Sequence, residues 1–99
     1  MSELADLQQA ISEVRAERGF YTDPGKIMVL PTEEIGEVAS QVRKIWSTNH
    51  DDFDKGRLEE EIADVFVLLT ALANRFDIDI EQAVDRKFFE KDSKRTWRS

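Results

Sequence analysis

An all-α fold is what this chain predicts, built as a four-helix, bundle-like domain. Apolar residues recur at three- and four-residue intervals in four successive segments. No stretch shows a convincing two-residue alternation, and the connections between the periodic segments are short. The chain has 99 residues, is 40% apolar and 35% charged, and contains no cysteine. That length makes one domain, residues 1–99, with too small a core to be comfortable alone, so self-association is expected.

The first helix is expected from about Glu3 to Arg18, where Leu4, Leu7, Ile11 and Val14 share a face, and Gly19 ends it. Phe20 to Leu30 holds Pro24 and Gly25 and reads as a loop, with Ile27 to Leu30 a weak strand candidate. The second helix opens at Pro31-Thr32-Glu33-Glu34, with Thr32 as cap and acids in the first turn. Its apolar face is Ile35, Val38, Ala39, Val42, Ile45 and Trp46, and Ser47 to Gly56 is a polar connection. The third helix, about Arg57 to Phe76, is apolar on most of its circumference and is expected to be surrounded by neighbours. The fourth follows Asp77 or Asp79, with Asp79 and Gln82 fitting a capping box, and uses Ile80, Ala83, Val84 and Phe88.

A net charge of −7 argues against a binder of nucleic-acid polymers, which needs a basic stripe. It leaves a nucleotide substrate open, because a metal can supply positive charge locally. The N-terminus lacks the basic start and apolar run of a signal peptide, and the longest apolar stretch, Ile62 to Ala73, is too short to span a bilayer. A cytoplasmic protein without membrane association is the expectation.

Two carboxylate pairs carry the chemistry: Glu34 with Glu37, and Glu61 with Asp64. With Glu34 at zero on a helical wheel, Val38, Val42 and Ile45 fall between about 20° and 80°, and Glu37 near −60°. With Glu61 at zero, Val65, Leu69 and Leu72 occupy that same arc, and Asp64 again falls near −60°. Each helix thus carries an acidic pair in the same phase beside its apolar stripe. A single such pair reads as ordinary solvated surface, but the duplicated phase points to acids converging at a helix–helix contact, where unpaired charge is costly. Mg²⁺ suits such a cluster, because it takes oxygen ligands and keeps waters that phosphate can replace. A di-iron bundle is excluded by the lack of any Glu-x-x-His motif. An EF-hand over Asp51–Ile62 is excluded by Phe53, Lys55 and Ile62 at ligand positions. His50, in the polar connection, reads as a surface residue.

EEIGE at 33–37 followed by EEIAD at 60–64 resembles the E-E-x-x-E…E-x-x-D signature of the MazG-like all-α nucleoside triphosphate pyrophosphohydrolases. LLTALANRFDIDIEQAVDRKF looks like the family's passage from a core helix, through an Asp-containing turn, to a helix carrying a lysine, and the likeness covers roughly Lys26 to Arg95. The resemblance implies Mg²⁺-dependent cleavage (Mn²⁺ as a possible substitute) between the α and β phosphates of a (d)NTP, in nucleotide-pool house-cleaning. It implies Glu34, Glu37, Glu61 and Asp64 as metal ligands, Glu33 as the residue acting on the attacking water, and Lys87 and Arg95 as phosphate contacts. The family often has an asparagine between its lysine and arginine, where this chain offers Lys91 or Asp92. Homodimers or homotetramers are implied as well. Phe20, Tyr21, Trp46 and Trp97 are the aromatics able to stack on a base, Trp46 fitting a core or interface better, and Lys26 is a loop cation within possible reach of phosphate. Competing readings are a non-catalytic helical interaction module, suggested by the apolar third helix, and a phosphohydrolase acting on dUTP or another pyrophosphate-containing substrate.

Overall fold

The computed structural model describes residues 2–20, 23–46 and 53–96. They form α1 (Glu3–Arg18), α2 (Pro24–Trp46), α3 (Lys55–Arg75) and α4 (Ile80–Val84), with α4 continuing into a π-helical segment, Asp85–Lys91. No strand occurs among the described residues. His50, Tyr21 and Trp97 lie outside them.

Helix α1 has its expected limits. The Ser2 hydroxyl accepts from the Ala5 N–H at 3.0 Å, and Gly19 closes the other end at φ 70°. The Gly19 and Phe20 N–H groups donate back to the carbonyls of Ala16 and Arg15, which satisfies the last turn in a left-handed cap. Helix α3 ends in a similar way, but with a non-glycine residue: Asp77 takes φ 55°, and the Ile78 N–H donates to the Ala73 carbonyl at 2.9 Å. Aspartate tolerates that region better than most residues. The expected Asp79 cap is present, its carboxylate accepting from the Gln82 N–H at 3.0 Å.

The second helix is longer than expected. Residues 24–30, expected as loop or weak strand, are its first turns: Pro24 occupies the first helical position, and the Asp23 carboxylate accepts from the Lys26 N–H at 3.1 Å. Pro31 therefore sits inside the helix rather than at its start. Thr32 does not cap; its hydroxyl donates to the Met28 carbonyl at 2.9 Å, one turn back. Lys26 accordingly belongs to a helix, not a loop.

Helices α2 and α3 run antiparallel. Ile27 meets Ala71 and Asn74 at one end of their contact, and Glu37 faces Glu61 and Asp64 at the other. Helix α1 packs on α3, and α4 on α1; the π-helical segment has no substantial packing on α2 or α3. At the first end a buried polar clasp joins three elements. Gln8 Nε2 donates to Asn74 Oδ1 and to the Ile78 carbonyl, Gln8 Oε1 accepts from the Ile80 N–H, and Asn74 Nδ2 donates to the Gln8 carbonyl, all within 2.9–3.2 Å.

The chain by itself buries little. Its radius of gyration is 16.1 Å, where a compact chain of this length has about 13 Å. Its surface is 7984 Å², where a folded monomer of this mass exposes roughly 5800 Å². Large apolar side chains contribute to it: Ile35, Ile45, Trp46, Ile62 and Leu69 are all exposed. Two expectations are thereby corrected. Of the expected α2 face Val38 and Val42 are half-buried but Ile35, Ala39, Ile45 and Trp46 are exposed, the contact stripe being completed by Ile27, Pro31, Glu34 and Gln41, and α3 is not surrounded within one chain. Trp46, 80% exposed, is not core.

Candidate metal and substrate site

Because α2 begins at Pro24, Glu33 and Glu34 lie well inside it, beyond the first turn where the helix dipole favours acids. Their presence needs another reason. Glu34 occupies the middle of the buried α2 stripe, with Ile27, Pro31 and Val38 within about 60° of it on the wheel. It is half-buried, and its Oε2 is fully enclosed without a hydrogen-bond partner. Glu61, opposite on α3, is 5% exposed; its Oε1 accepts from Arg57 Nε at 3.2 Å, and its Oε2 is likewise enclosed and unpartnered.

The two pairs converge. The Glu34 carboxyl is pushed above the usual glutamate range, first by desolvation, then by the charges of Glu37 and Asp64, a side-chain hydrogen bond with Glu37, and the charge of Glu61. An open cavity of about 510 Å³ reaches in from solvent over Glu37, Glu61 and Asp64, with Asp54 and Arg57 at its rim. Among the described residues no three acidic or imidazole groups are drawn tightly enough to enclose an ion as they stand. The donor set nonetheless fits a hard divalent cation: it has carboxylate oxygens from two helices, two of them buried without a hydrogen-bond partner, and Glu37, Glu61 and Asp64 line an accessible polar cavity.

The remaining expected residues lie elsewhere. Glu33 is exposed on α2, one step of about 100° around the helix from Glu34. Lys87 and Arg95 lie in and beyond the π-helical segment and pair with Asp92, so one chain does not pack them against the acids. Phe20 lies under the Arg15 guanidinium, 5.0 Å from its ring centre, at a separate cavity of about 270 Å³ between α1 and the far end of the α2–α3 contact.

Sequence reasoning missed two neighbours of the acids. Arg57 stands one turn before Glu61, a spacing that signals an ion pair. Gln41, 3% exposed with an enclosed, unpartnered Oε1, stands one turn after Glu37 on the Glu34 face. The wheel that placed the acids also places Gln41, near −20°.

The family model of the MazG nucleotide pyrophosphohydrolase domain matches residues 23–97, and the chain belongs to that family of nucleoside triphosphate pyrophosphohydrolases. Among relatives, it is 39% identical over 80 residues to the uncharacterized protein YpjD of Bacillus subtilis, covering 76% of this chain and 72% of that one. It is 29% identical over 93 residues to dCTP pyrophosphatase 1 of Mus musculus and 28% identical over 92 residues to that of Bos taurus. Those matches cover 85% and 82% of this chain, which spans only 54% and 52% of the two mammalian proteins. No solved structure matches the chain.

Proposed function

We propose that the chain is a single-domain, Mg²⁺-dependent pyrophosphohydrolase that cleaves a (deoxy)nucleoside triphosphate between its α and β phosphates. The products are a nucleoside monophosphate and pyrophosphate, and the role is removal of unwanted triphosphates from the soluble cytoplasmic nucleotide pool. The observation that carries this reading is the pair of enclosed, partnerless oxygens, Glu34 Oε2 and Glu61 Oε2, on helices whose other acids open onto the same cavity.

Glu34, Glu37, Glu61 and Asp64 would hold the metal, which when bound supplies charge neutralisation for the phosphates and the developing anion. Glu33, exposed beside Glu34, accepts the proton of the attacking water. Lys87 and Arg95 bind the phosphate chain. Helix α2 runs on through Pro31, carrying Glu34 in its buried stripe and Glu37 onto the cavity it shares with Glu61 and Asp64.

We also propose that the working enzyme is a homodimer or homotetramer. The surplus of roughly 2200 Å² over an ordinary monomer surface falls within the range that obligate interfaces bury. Ile35 on α2 and Ile62 and Leu69 on α3 supply the apolar faces for such contacts.

The test is incubation with Mg²⁺ and each deoxynucleoside and nucleoside triphosphate, dCTP and dUTP included, with monophosphate and pyrophosphate quantified. Release of orthophosphate and a diphosphate would refute the cleavage position. A melting temperature indifferent to millimolar Mg²⁺, together with no hydrolysis of any nucleotide, would favour a non-catalytic helical module instead.

A further inference from the structure

In an α-helix residues five apart point about 140° away from each other, so their side chains do not meet. The segment Asp85–Lys91 departs from that geometry. It is π-helical, and the Asp92 N–H donates to the Lys87 carbonyl at 2.9 Å, closing a five-residue turn at its end. That turn brings Lys87 Nζ into hydrogen-bond contact with Asp92 Oδ2. The next turn of chain returns Arg95, whose Nη1 forms an ion pair with Asp92 Oδ1 at 3.9 Å. Each carboxylate oxygen thus faces one cation.

The burial of the three side chains is unequal. That of Asp92 is 10% exposed, whereas those of Lys87 and Arg95 are 58% and 63% exposed. The anion lies beneath and the two cations lie outward. Were Asp92 a mimic of phosphate blocking the cations, its carboxylate would occupy their outer side, which solvent reaches instead. We propose that Asp92 is a positioning residue: it holds Lys87 and Arg95 side by side as a preformed cationic doublet for the polyphosphate of the substrate. The proposal rests on the reading of Lys87 and Arg95 as phosphate contacts given above.

Two opposing effects decide what Asp92→Asn does. Removing the negative charge strengthens attraction of phosphate to the pair, an effect that salt screens. Releasing the two long side chains means that each must be immobilised on binding, a penalty that salt does not screen. A positioning role requires the second effect to be the larger, with an excess that grows with ionic strength.

The experiment titrates inorganic tripolyphosphate, in the presence of Mg²⁺, into the whole chain and its Lys87→Met, Asp92→Asn and doubly substituted forms at low and high salt. Asp92→Asn is expected to bind about 3- to 10-fold more weakly, with the deficit greater at high salt. The double form should bind no more weakly than Lys87→Met alone. In steady-state hydrolysis Asp92→Asn should raise KM and leave kcat unchanged, which a loss of general stability would not do. Asp92→Glu, which keeps the charge, should recover part of the affinity and serves as the second variant if Asp92→Asn loses helicity. Binding by Asp92→Asn equal to or tighter than that of the unaltered chain, with Lys87→Met weakened, overturns the positioning role alone. Unaltered binding by Lys87→Met overturns the phosphate reading beneath it, and the proposal with it.

Discussion

The α2–α3 pair buries polar groups at both ends of its neighbourhood, and the two ends treat them oppositely. Around Gln8 and Asn74 both amide side chains find partners on α1, α3 and the start of α4. Around Glu34 and Glu61 carboxylate oxygens are enclosed with no partner at all. A folded chain gains from the first arrangement and is penalised by the second. On the function proposed above, a ligand rather than the chain completes the second.

That contrast breaks most sharply by removing an acid. Glu61→Gln and Asp64→Asn should lower kcat/KM for the preferred nucleotide by at least about a hundredfold, since even groups one layer outside a metal's ligands contribute 10- to 100-fold. In the metal-free protein the same changes should leave the melting temperature unchanged or raise it, because they relieve repulsion. The Mg²⁺-induced rise in melting temperature should vanish. A metal-free protein that loses several degrees on either substitution would mean the acids are structural, like Gln8.

Gln8→Ala should show the inverse pattern. It removes the Gln8 side-chain partner of the Ile78 carbonyl, the Ile80 N–H and Asn74 Oδ1, so folding stability should fall by about 2–4 kcal/mol in denaturant titrations. Hydrolysis measured well below the melting point should survive, because none of these groups lies near the acids.

The acid end should also make the metal-free protein sensitive to pH in a particular direction. The folded state holds the Glu34 proton more tightly than the unfolded chain does. Stability is therefore highest below the ordinary glutamate pKa and declines as pH rises from there through the raised folded value. Thermal melts in chelator between mildly acidic and neutral pH should show that decline, and millimolar Mg²⁺ should abolish it at neutral pH. Glu34→Gln should flatten the profile without metal.

Much of this was legible in the sequence, and the failures share a cause. The limits of α1, the Asp79 cap and the convergence of the acids follow from local spacing, which the structure preserves. The start of α2 did not, because Pro31 carries the signature of a first turn although Asp23 and Pro24 supply the real one. The burial pattern was misread for a related reason. Periodicity finds an apolar face without saying whether it meets the same chain or another, and Ile35, Ile62 and Trp46 lie on faces that one chain leaves exposed. The Lys87–Asp92 pair was invisible because a five-residue spacing has no meaning on an α-helical wheel.

Arg57 offers the finest division between the two ends. Its guanidinium partners Glu61 Oε1 but is mostly solvent-exposed, so the ion pair is a loose one-turn contact on the cavity rim. Arg57→Met should reduce metal-free stability by less than about 1 kcal/mol, the range of exposed pairs. In saturating Mg²⁺ that difference should disappear, because the ion then neutralises Glu61 in place of the guanidinium. Paired denaturant titrations with Mg²⁺ and with chelator measure both numbers. A deficit that persists unchanged in Mg²⁺ would place Glu61 with the structural residues around Gln8, and the distinction between the two ends would fail at its most buried carboxylate.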